Sequence, residues 1–151
     1  MKLHHAEFTL FTIEPRTQWV FAEIYDHQGN STLTELTSPY DPKHIVQSMK
    51  QALDYLSSHH LTEANIETLL GYTTAQLNND LLNATIVSAI KTSVTQLEAK
   101  INKLRIDHFL GSNSENKQVP LYANINRATF NTNRTHSDFV TYAIRAVDSG
   151  F

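Results

Sequence analysis

The first third of the chain alternates in step with a pleated strand. Phe8, Leu10 and Thr12 alternate with Thr9, Phe11 and Ile13, so a strand here carries apolar side chains on both faces. Glu14-Pro15-Arg16-Thr17-Gln18 interrupts the run, because Pro15 cannot donate to a central ladder. A second strand is predicted over residues 19–25, with Val20, Ala22 and Ile24 on one face. Asp26-His27-Gln28-Gly29-Asn30 has turn chemistry, with Gly29 suited to a positive φ. Residues 32–36 return as a third strand, which makes a three-stranded antiparallel meander.

The pattern then changes to a helical period. Asp41 followed by Pro42 is an N-cap and first-turn pair, and Ile45, Met49, Leu53 and Leu56 form one apolar stripe behind it. Thr62 is placed to cap a short helix that ends at Gly71. The longest helix is predicted over residues 84–104, where Ile90, Val94, Leu97, Ile101 and Leu104 alternate spacings of four and three. Gly111 closes this section. Residues 112–117 are polar, residues 119–125 read as a strand, and Thr135-x-x-Asp138 opens a last helix lined by Phe139, Tyr142, Ala143, Ala146 and Val147. Gly150 is placed as its C-cap. The pattern predicts an α+β domain over 1–111, then a strand and helix over 112–151.

Composition narrows the partners. The chain has 151 residues, 40% hydrophobic and 18% charged, which describes a globular protein. No apolar run approaches the roughly 20 residues that span a bilayer, and polar residues break up the N-terminal stretch, so neither a membrane nor a secretion signal is expected. With no cysteine, disulfides and thiolate chemistry are excluded, which fits the cytoplasm. A net charge of −3 without a basic stripe argues against nucleic acid. Eight histidines invite a metal reading. Yet His4-His5 and His59-His60 are adjacent pairs, which point apart on a regular strand or helix, and no His-x-x-x-His occurs.

The order of meander, helical bundle, strand and helix resembles the front of the enolase superfamily, in its mandelate racemase/muconate lactonizing subgroup. Tyr25-Asp26-His27-Gln28-Gly29-Asn30 through Thr34-Glu35-Leu36 resembles the second-to-third strand hairpin. Ser88-Ala89-Ile90 through Leu97-Glu98-Ala99-Lys100 resembles the long helix, and Phe109-Leu110-Gly111 the Leu-Leu-Gly-Gly after it. Val119-Pro120-Leu121-Tyr122-Ala123, then Arg134-Thr135 through Ala146-Val147 to Gly150-Phe151, resemble the first barrel strand and helix. The chain departs from the family pattern at three places. Leu33-Thr34-Glu35 stands for Gly-x-Gly-Glu, Lys91 for an acidic residue, and Thr95-Gln96 for Trp-Asp.

The resemblance implies an α+β capping domain over 1–111 and the first βα unit of a (β/α) barrel over 112–151. It also implies, for a full-length member, Mg²⁺ held by carboxylates of the middle barrel strands. Lys or His bases there would abstract the proton beside a substrate carboxylate, with the metal stabilising the enediolate. Only a short segment follows Val119, against about 250 residues in a typical barrel. The expectation is therefore a chain without catalytic residues, metal or cofactor of its own, taking a small carboxylate only where a barrel is present.

Two capping loops and the end of the first barrel strand supply the candidate substrate-binding residues. Glu14 and Arg16 lie in the first loop, where a guanidinium fork suits a carboxylate. Tyr40 lies in the second, residues 37–41. Asn124, Asn126 and Arg127 follow the barrel strand, at the end where barrel sites form. The plain alternatives are a solvated turn for the first loop, a Tyr40 ring packed beside the helix cap, and polar residues capping loop backbone for Asn124, Asn126 and Arg127. A lone βα unit exposes both strand edges, so a homo-oligomer, or a swap through residues 119–151, is expected. The competing reading is a free-standing α+β interaction or dimerisation module with no enzymatic role.

Overall fold

The computed structural model describes residues 1–14, 17–111 and 135–151. The chain divides into two compact units, Met1–Ser112 and Asn113–Phe151. The first is a mixed α+β structure in which a three-stranded antiparallel sheet is followed by helices.

Strands β1 (Leu3–Glu14), β2 (Thr17–Asp26) and β3 (Ser31–Glu35) lie in the order β1-β2-β3. In the central strand the period of two decides which face is covered: Val20, Ala22 and Ile24 are at most 1% exposed. Both outer strands are longer or earlier than their apolar runs suggest. β1 starts at Leu3 and not near Phe8, and β3 is shifted one residue towards the N-terminus. The interruption at Pro15 is shorter than expected, because Thr17 and Gln18 already pair with Glu14 and Thr12.

An irregularity in β1 explains its early start. Leu3 pairs with Asp26 and His5 with Tyr25, so His4 is an extra residue. That bulge reverses the alternation, turning Leu3 into the core while His5 stays on the opposite face. It also brings adjacent histidine rings together: those of His4 and His5 lie 4.9 Å apart edge-on, and His27 lies 4.9 Å from His4. The expectation that neighbouring histidines point apart fails here, because it assumes a regular strand.

The β2–β3 turn is held by Asp26, which is 4% exposed. Its carboxylate accepts from the backbone N–H of Gln28 at 2.8 Å and of Asn30 at 2.9 Å, and from Asn30 Nδ2 at 2.8 Å. Gly29 completes the turn at φ 82°. Burial opposes ionisation of Asp26, but the hydrogen bonds from Asn30, Gln28 and Gly29 outweigh it and hold its pKa below the ordinary carboxylate value.

Helices cover one face of the sheet. Helix α1 (Pro42–Leu56) is capped by Asp41, whose Oδ1 accepts from the N–H groups of Lys43 and His44, and it buries Ile45, Met49, Leu53 and Leu56. A 3-10 turn at Glu63–Asn65 leads into α2 (Ile66–Leu69), and Gly71 follows at φ 75°. Helix α3 (Thr74–Leu77) is a single turn with its own Thr73–Gln76 capping box, too short for a periodic apolar signal.

The long helix α4 (Leu81–Ile101) starts and stops three residues before the expected 84–104. Asp80 sets the start by accepting from Asn83 N–H at 3.0 Å. The stop is set at Lys103, which takes φ 55° while Leu104 N–H donates to Ala99 O. Ile90, Val94 and Leu97 are fully buried, but Ile101 and Leu104 lie past the sheet and are 42% and 48% exposed. Helix α5 (Ile106–Phe109) is a further single turn.

Two polar side chains of α4, Lys91 and Gln96, make tertiary contacts. Lys91 Nζ sits 2.7 Å from Glu63 and 2.9 Å from Glu67, tying the 3-10 turn and α2 to α4. Hydrogen bonds that Lys91 donates to the carboxylates of Glu63 and Glu67 hold its pKa above the ordinary value. Gln96 accepts a hydrogen bond from the Thr32 hydroxyl on β3. In the second unit, α6 (His136–Asp148) opens with the reciprocal Thr135–Asp138 capping box and ends before Gly150 at φ 90°. Phe139, Tyr142, Ala143 and Ala146 are part-covered there, whereas Val147 is 68% exposed, contrary to its place on the expected face.

Two outcomes follow. Ile90→Ala removes a fully buried side chain at the sheet–helix contact and is expected to cost about 2–5 kcal/mol by denaturant unfolding. Asp26→Ala removes the acceptor of the turn and is expected to cost about 1–3 kcal/mol at neutral pH. Because the folded pKa of Asp26 is depressed, its stabilisation is full above the unfolded value of about 3.9 and is lost as pH falls through the lower folded value. The gap between wild type and Asp26→Ala, measured by urea melts from pH 7 downwards, should therefore hold steady until about pH 4 and then narrow.

Candidate functional site

The strand directions place both candidate loops of the first unit at one end of the sheet. β1 ends and β2 begins at Glu14 and Thr17, and β3 also ends at this side, with Glu35 opposite Phe21. Four further residues of β2, from Val20 to Thr17, run past the end of β3. The β1–β2 hairpin therefore overhangs β3 by about 13 Å at 3.3 Å per residue.

The connection from β3 to α1 is fastened to the root of this overhang. Leu36 N–H donates to Val20 O at 2.8 Å, and Val20 N–H donates to Thr37 Oγ1 at 3.3 Å. Leu36 is fully buried, which fixes the departure of the loop, while Tyr40 at its far end is 42% exposed. Tyr40 N–H reaches Ser38 Oγ at 3.4 Å, and the Tyr40 ring lies 6.5 Å from that of His44 on the first turn of α1.

The overhang is apolar and solvent-facing. Leu10, Phe11 and Trp19 are 49%, 51% and 43% exposed, and the Phe11 ring meets that of Phe21 edge-on at 5.7 Å. Exposed aromatic side chains grouped at one end of a small sheet are a feature that calls for a covering surface. They were legible as residues but not as a group, because each lies on an ordinary alternating strand.

Of the sequence-derived candidates, Tyr40 lies in the β3–α1 connection, half exposed beside His44. Glu14 is the last residue of β1, so its backbone is at the hairpin tip. Arg16, Asn124, Asn126 and Arg127 lie outside the described residues. Further back on the outer face, Glu7 and Glu23 stand directly opposite each other, and His5 stacks on Tyr25 at 4.4 Å. Partial burial, followed by a hydrogen bond to Glu23 and the charges of Glu23 and Glu7, raises the Tyr25 pKa.

Other features of the unit lie away from this end. A cleft of about 430 Å³ opens between α1 and α4, with Gln51, Tyr55, Tyr72 and Asn83 around an apolar floor that includes Ile86. Its lining has no charged side chain and no nucleophile paired with a base. Among the described residues, no three His, Asp or Glu side chains are grouped to hold a metal ion, and no helix is long and apolar enough to cross a membrane. Comparison with family models, with curated proteins and with solved structures finds no match for this chain.

Proposed function

We propose that residues 1–111 are the substrate-specificity capping domain of an enzyme like those of the mandelate racemase/muconate lactonizing subgroup of the enolase superfamily. In this reading, chemistry is the work of a barrel. Its bases would remove the proton next to a substrate carboxylate, and a Mg²⁺ held there would supply charge stabilisation. The capping unit selects which carboxylate is presented.

One observation carries the reading. The β1–β2 hairpin and the β3–α1 loop emerge at the same end of the sheet, stitched together at Val20, and the hairpin overhangs with exposed apolar side chains. Such an arrangement suits closing over a barrel mouth, with Tyr40 and, by the family resemblance, Arg16 as the proposed contacts to the carboxylate. The family resemblance adds Asn124, Asn126 and Arg127 as proposed substrate contacts. The Mg²⁺ implied by the family finds no fitting group of ligands among the described residues.

In a protein that joins this chain to its barrel, Arg16→Ala and Tyr40→Ala should each raise KM for the carboxylate substrate about tenfold, a binding loss of about 1.4 kcal/mol. The turnover number should change much less, and Arg16→Lys should recover only part of the loss. Steady-state kinetics with unchanged KM in both alanine variants would remove these loops from substrate selection. The 151-residue chain alone, incubated with Mg²⁺ and 2-hydroxy carboxylates in D₂O, is expected to show no exchange of the α-proton by NMR. Exchange would overturn the division of labour between cap and barrel.

A further inference from the structure

We infer that β1 is a homodimerisation edge, pairing antiparallel with β1 of a second copy about a two-fold axis at Thr9. This rests on the two edges of the sheet and is independent of the capping reading.

The edges are unlike. β3 is five residues long, and α4 reaches over it: Lys100 Nζ donates to Ser31 O at 3.1 Å and Gln96 accepts from Thr32. β1 is twelve residues long and pairs with no strand beyond β2 among the described residues. Its irregularities sit only near its ends, leaving His5–Thr12 in unbroken register. It carries no Lys, Arg or Pro, the usual means of blunting an edge, and Phe8-Thr9-Leu10-Phe11-Thr12-Ile13 is an uncharged run of strand-forming residues.

A second copy fits this edge better than an arbitrary strand because β1 is complementary to itself. With Thr9 opposite Thr9 of the second copy, Phe8 faces Leu10, Glu7 faces Phe11 and Ala6 faces Thr12. No like charges oppose, and all pairs keep to one face of the joined sheet. Leu10, half exposed in the single chain, gains a phenylalanine neighbour. The helices also leave room. They cover β1 at Leu3, Ala6 and Phe8, where Lys50 lies over the Phe8 ring at 5.7 Å, and stop short of Leu10.

The test uses the full 151-residue chain. Light scattering is expected to show a concentration-dependent dimer of the 17.1 kDa chain. Thr9 is exposed, so Thr9→Lys should leave the circular dichroism of the chain intact, and its melting too at dilutions where both chains are monomeric. By setting two ammonium groups face to face, it should weaken dimerisation about tenfold or more. In Thr9→Cys, the only thiols stand across the axis at the roughly 4.5–5.5 Å Cα separation of an antiparallel pair, within disulfide range. Mild oxidation should cross-link it far faster than Thr92→Cys, an exposed control on α4. The inference is overturned if the wild-type chain stays monomeric at all concentrations. It is equally overturned if Thr9→Lys dimerises like wild type, or if the two cysteine variants cross-link alike.

Discussion

The first unit depends on burying one face of β2. A three-stranded sheet cannot shield its own apolar face, so Val20, Ala22 and Ile24 need a second layer. That layer is α1 and α4, which bring Ile45, Met49 and Leu53 from one side and Ile90, Val94 and Leu97 from the other. Everything else is arranged around this contact. The bulge at His4 adds Leu3 to the same core, and the Asp26 turn fixes the register in which β3 returns beneath α4. Lys91 draws the 3-10 turn and α2 onto the back of α4 through Glu63 and Glu67.

Because the covered face ends where α1 and α4 end, the sheet continues beyond its own support. β1 and β2 run on past β3 with Leu10, Phe11 and Trp19 in solvent, at the end where the loop bearing Tyr40 departs. A small domain gains nothing from an exposed apolar hairpin in isolation, since that surface is both a stability loss and an association risk. It makes physical sense as a surface that another body covers. The hairpin end and the strand edge are two distinct places for such a cover.

Two polar side chains of α4 fasten neighbouring elements to it. Lys91 is paired with two glutamates on neighbouring turns, and Gln96 accepts from the Thr32 hydroxyl on β3.

The sequence by itself determined the α+β class, the three strands and the buried stripes. An alternation of two or a period near 3.6 is written directly in where Val20, Ala22, Ile24, Ile45, Met49 and Leu53 fall. Caps carried by single residues, such as Asp41 and Thr135, were equally legible, because their chemistry is local. Tertiary structure decided the rest. The ends of α4 moved three residues because Asp80 and Lys103 set them, and Ile101 and Leu104 stayed exposed because the sheet stops short of them. The meeting of His4 with His5 required a bulge, visible only in the register against β2. The grouping of both candidate loops at one end followed from strand direction and the bond between Val20 and Thr37, a long-range contact that no local pattern encodes.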